Sequence, residues 1–121
     1  METIALVFPD ASVTLESLAA ALANCGDVAL NDKVITVRFD ASRVYIVADV
    51  MSHLEDIFEE WPGHLVPSGP VVIFSLDYRN KEDAVEVISA LAQLFPVIID
   101  SNFGYVGPGL GFTVKMLDHR K

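Results

Sequence analysis

The sequence predicts an α+β fold: one mixed sheet with helices, in a single domain spanning 1–121. Three observations lead there. Apolar runs of strand length alternate with stretches at helical spacing, and apolar residues make up 52% of the chain. The order strand, helix, strand, strand occurs near the start and again from Val71 to Val106. A chain of 121 residues also buries about two-thirds of its unfolded surface, enough for one self-sufficient core.

Ile4-Ala5-Leu6-Val7-Phe8 is a short apolar run closed by Pro9-Asp10, and reads as a buried strand. A helix is expected from about Ser12 to Asn24, with Leu15, Leu18, Ala19 and Leu22 at helical spacing and Gly26 placed to stop it. Val28–Leu30 follows as a strand turning at Asn31-Asp32. Val34–Phe39 and Arg43–Ala48 form the clearest hairpin. Ile35, Val37 and Phe39 alternate with Thr36 and Arg38, and Val44, Ile46 and Ala48 with Arg43, Tyr45 and Val47. One face of this hairpin therefore meets the core and the other is partly wet.

A second helix is expected from about Val50 to Trp61, with Leu54, Ile57, Phe58 and Trp61 as its apolar stripe and Ser52 to Glu55 as a capping box. Pro62–Pro70 holds three prolines and two glycines and reads as a stiff surface loop. Val71–Leu76 is apolar but for Ser75, as a strand covered on both faces would be. A third helix runs from Lys81 to Phe95, between Asn80 as N-cap and Pro96 as stop. Val97–Ile99 and Phe103–Val106 are strands about a turn at Asp100-Ser101-Asn102. Leu110–Leu117 suits either a short helix or a strand. The whole reads as two βαββ halves joined by the second helix and the proline-rich loop.

Seventeen acidic and eight basic side chains give a net charge of −9. Nucleic-acid binding needs the opposite sign, because affinity comes from Lys and Arg displacing counterions from phosphate. An anionic membrane surface repels the chain for the same reason. Apolar runs such as Pro70–Leu76 are far shorter than the roughly 20 residues of a membrane span. One cysteine, Cys25, cannot form an internal disulfide. The start Met1-Glu2-Thr3 lacks the positive region of a signal peptide. A cytoplasmic protein with a basic partner is the expectation.

Few residues suggest chemistry. If the strand–helix–strand steps pair in parallel, Asp77 and Asp100 end on the same sheet edge, where two carboxylates could share a proton in a small hydrolase or lyase. His53, His64 and His119 have no metal-ligand spacing, and neither a phosphate loop nor a GxSxG nucleophile is present. No cofactor or metal is expected. Arg38, Arg43 and Tyr45, on the outer hairpin face, suit an anionic metabolite or a second subunit.

The acidic residues of the second helix carry the strongest signal. Glu55/Glu59 and Asp56/Glu60 are like-charged pairs four apart, each costing an isolated helix about 0.2–0.5 kcal/mol. No Lys or Arg lies between Arg43 and Arg79 to neutralise them. Such a ridge suits a surface that steers a basic partner into register, with Trp61 and Tyr45 as candidate apolar anchors.

The segment Val97-Ile98-Ile99-Asp100-Ser101-Asn102-Phe103-Gly104-Tyr105-Val106-Gly107-Pro108-Gly109 resembles the tail of small bacterial immunity proteins encoded beside secreted polymorphic toxins. There an apolar strand, an Asp-Asn-type turn, Phe-Gly and Pro-Gly close the domain. Leu110-Gly111 stands where that pattern has an acidic residue. The resemblance implies a toxin inhibitor that works stoichiometrically, without turnover, against a basic toxin domain such as a nuclease.

Overall fold

A computed structural model describes residues 2–40, 42–48, 61–101 and 105–117. The chain is α+β, but its sheet is antiparallel rather than mixed. The strands are β1 (Glu2–Phe8), β2 (Asp27–Asn31), β3 (Val34–Arg38), β4 (Arg43–Ala48), β5 (Val72–Tyr78), β6 (Ile98–Asp100) and β7 (Val106–Pro108). They form one sheet in the order β2-β3-β4-β5-β1-β6-β7, with every neighbouring pair antiparallel. Among the described residues, three α-helices accompany them: α1 (Leu15–Ala21), α2 (Lys81–Leu94) and α3 (Val114–Leu117).

The order βαββ does occur twice, as β1-α1-β2-β3 and β5-α2-β6-β7. Both helical links join strands that run the same way, yet neither link joins neighbours. β1 lies between β5 and β6, while β3, β4 and β5 separate β1 from β2. The extra strand β4 stands between β3 and β5, and β2 is an edge strand whereas β6 neighbours β1, so the two halves take different places in the sheet. The run around Val71–Leu76 is an interior strand, as expected, held between β4 and β1.

Period-two alternation gives the sheet two unlike faces. Ile4, Leu6, Phe8, Ile35, Val37, Val44, Ile46, Phe74, Leu76, Tyr78 and Ile99 line the inner face. Against them pack Leu15, Leu18 and Leu22 around α1, Ala84, Val87, Ile88 and Leu91 of α2, and Leu117 of α3. Phe8 is a centre of this core, meeting Phe74 and Phe95 edge-on at centroid distances of 5.6 and 6.0 Å.

Local chemistry sets the helix bounds. Thr14 caps α1, accepting from the Ser17 backbone N–H, while the Ser17 hydroxyl accepts from the Thr14 N–H. α1 is shorter at both ends than the Ser12–Asn24 stretch suggests, because residues 22–25 turn before β2 begins. Asn80 caps α2 as expected, accepting from the Asp83 N–H at 3.0 Å. The Ser42 hydroxyl donates to the Asp83 carboxylate, tying the β3–β4 connection to the start of α2.

Other boundaries move. The closing hairpin is Ile98–Asp100 with Val106–Pro108, so Asp100 ends a strand instead of opening a turn. Leu110–Leu117 resolves as a turn followed by the helix α3. Within the proline-rich loop, Gly63–Leu65 forms one turn of 3-10 helix.

Candidate functional site

The outer face of the sheet has two parts. Around β1, β5 and β6, Val7 and Ile73 are covered by Trp61, with Leu65, Val71, Ile98 and Val106 packed alongside. Around β2, β3 and β4 the face is polar and more open. Its registers place Asp27 opposite Arg38 and Arg38 opposite Arg43; the next row is Ala29, Thr36, Tyr45, Asp77 and Thr3. Cross-strand partners share a face, so Arg38 and Arg43 project side by side.

Both arginines are exposed. Like charges directly opposite destabilise a strand pair, on a scale of about 0.2–1 kcal/mol. Among the described residues no carboxylate forms an ion pair with either guanidinium. Beside them the short side chains of Ala29 and Thr36 leave a trough, and the hollow there measures about 290 Å³. Its lining includes Asp27, Asn31, Thr36, Arg38, Arg43 and half-buried Tyr45.

Asp77 and Asp100 lie on this outer face but are not brought together. Asp77 pairs in register with Thr3 and Asp100 with Ala5, so β1 and two residues of stagger separate them. That offset corresponds to about 12 Å between their α-carbons. Each carboxylate has its own donor: the Thr3 hydroxyl reaches Asp77 at 2.6 Å and the Trp61 indole N–H reaches Asp100 at 2.9 Å. The arrangement offers no shared proton.

Trp61, considered as a partner anchor, is only 7% exposed and belongs to the outer-face apolar cluster. It can anchor a partner only by leaving that cluster. Glu55, Asp56, Glu59 and Glu60 lie outside the described residues, as do His53 and His119. His64 is exposed in the 3-10 turn. Among the described residues no three His, Cys, Asp or Glu side chains gather where a metal could sit. Burial, and then the negative charge of Glu86, push the Cys25 thiol up, away from the thiolate a nucleophile needs. No helix among the described residues is long and apolar enough to cross a membrane.

A surface that sequence patterning did not single out lies where α2 ends. Leu94 and Leu110 are 64% and 69% exposed, and both border one hollow of about 520 Å³ lined by Pro9, Phe95, Pro96, Val97 and Pro108. Leu94 continues the α2 stripe three residues after Leu91. It stays outside because Phe95 leaves the helix in extended conformation and packs against Phe8. A second hollow, bordered by Val66, Pro67 and Pro70, shares Pro9 and Ile98 with the first. Asp10, next in sequence to Pro9, is exposed, and hydrogen bonds from the Ser12 hydroxyl and backbone N–H hold its carboxyl below the usual carboxylate value.

No protein-family model, no curated protein and no solved structure matches this chain.

Proposed function

We propose that the chain is a stoichiometric binding protein of the immunity type, which captures a basic toxin domain of the nuclease class and covers it without turnover. One observation carries this reading: Leu94 and Leu110 stand exposed at the border of a single proline-lined hollow. Exposed leucines beside a concavity are the pattern of a protein contact, where an apolar side chain of the partner is desolvated at the centre. The prolines help, because a stiff rim loses little conformational freedom on binding.

Charge supports the same reading. The chain carries −9, and Asp10, next in sequence to Pro9 of the hollow, is a firmly ionised member of that excess. Long-range attraction then accelerates encounter with a cationic domain, and the apolar contact slows its release. Glu55, Asp56, Glu59 and Glu60 are assigned to the steering part. The resemblance of the Val97–Gly109 segment to immunity proteins points the same way. Asp77 and Asp100, about 12 Å apart across β1, favour binding over catalysis.

The test is neutralisation. The chain is co-expressed with each of a panel of basic nuclease toxin domains, and rescue of growth selects the partner. Purified mixtures should then give a one-to-one complex that Leu94→Glu or Leu110→Glu weakens. Absence of protection across the panel, or protection unaffected by both substitutions, overturns the assignment.

A further inference from the structure

The geometry points to a second, independent site on the outer face of β2, β3 and β4, which takes the phosphate group of a small phosphate monoester between Arg38 and Arg43. Arg38 and Arg43 are cross-strand partners on one face, both are exposed, and neither has an ion-pair partner among the described residues. Only eight of the chain's side chains are Lys or Arg, against 17 acidic ones. Placing two of those eight directly opposite each other works against local charge balance. A bound oxyanion removes the conflict, and guanidinium forks match its oxygens bidentately.

Oxygen count selects the anion: a carboxylate's two oxygens fill one guanidinium fork, whereas the three terminal oxygens of a phosphate monoester can reach both. The net −9 of the chain acts at longer range and is screened beyond about 8 Å at physiological ionic strength. Direct contacts at about 2.8 Å are not. The hollow of about 290 Å³ lies at the small end of ligand sites, near 300 Å³. It therefore suits a compact ligand with one phosphate.

The walls describe the rest of the molecule. Thr36 offers a hydroxyl, Asn31 an amide and Asp27 a carboxylate acceptor, while Tyr45 supplies a flat side. Such a lining fits a hydroxylated body, as in a sugar phosphate. This site shares no lining residue with the Leu94/Leu110 hollow, so either one can fail without the other.

Titration of the full chain with glucose 6-phosphate, followed in amide nitrogen–proton spectra, tests the site. Saturable shifts are expected at Thr36, Arg38, Arg43 and Tyr45. Arg38→Gln and Arg43→Gln should each raise the dissociation constant roughly tenfold or more, with the rest of the spectrum unchanged as the check on folding. Gluconate, which has a carboxylate and no phosphate, should bind at least roughly tenfold more weakly. Any of four results overturns the proposal: no saturable shift, equal binding by both variants, equal binding of gluconate, or binding of a phosphoserine peptide without binding of glucose 6-phosphate.

Discussion

The indole N–H of Trp61 donates to the carboxylate of Asp100 at 2.9 Å, across the outer face of the sheet. This bond ties the residue entering the proline-rich loop to the end of β6, while the ring covers Val7 and Ile73. A position that composition would offer to a partner is thus used to close the sheet.

Trp61→Ala removes both the ring contacts and the donor. It should cost about 3 kcal/mol, the lower end for a buried aromatic in a small cluster. Trp61→Phe keeps most of the ring and should cost about 1–3 kcal/mol through the lost bond to Asp100. Urea unfolding followed by circular dichroism measures both. A loss below about 0.5 kcal/mol for Trp61→Ala, the usual range of surface substitutions, would show that the indole is not part of the packed face.

Gly26 is fixed by space rather than by an unusual backbone angle. A Cβ built there would lie 2.6 Å from the backbone oxygen of Arg38, at the end of β3. Gly26→Ala should destabilise by about 1–3 kcal/mol, as overpacking against unyielding backbone does. Gly69, where an added Cβ meets nothing within 4 Å, is the control; Gly69→Ala should be neutral or stabilising by up to about 1 kcal/mol. Equal midpoints in a thermal melt of the two variants would contradict this.

The Ser12 hydroxyl and backbone N–H lower the Asp10 carboxyl, in that order of size. A depressed folded value means that the contribution to stability is present above the ordinary aspartate range and is lost as pH falls through the folded value. In a carbon-detected titration, Asp10 should titrate below an ordinary aspartate, and Ser12→Ala should move it back up. An unchanged midpoint in Ser12→Ala would remove the hydroxyl as the cause.

The alternation over Val34–Ala48 was legible because one face of that hairpin is buried and the other is not, and a period of two records the difference directly. The continuous run at Val72–Leu76 and the Asn80 cap were legible for equally local reasons. The position of β1 was not. Pairing of Leu6 with Phe74 on one side and Ile99 on the other joins residues far apart in sequence, and an apolar run looks the same beside either parallel or antiparallel neighbours. The exposure of Leu94 was equally hidden, since it depends on Phe95 taking the inward position against Phe8. Arg38, Arg43 and Tyr45 could be assigned to one region of the outer face, but not to a measured hollow.

Capture of a basic partner is the central claim, and its association rate is the most direct measure. Stopped-flow mixing with the toxin domain selected by neutralisation compares wild type with the combined Glu55→Gln, Asp56→Gln, Glu59→Gln and Glu60→Gln variant across ionic strengths. The wild-type rate should fall steeply as salt rises, and the variant should associate more slowly with a shallower salt slope, its fold unchanged or slightly stabilised. Equal rates and equal slopes for the two proteins would contradict electrostatic capture through those residues.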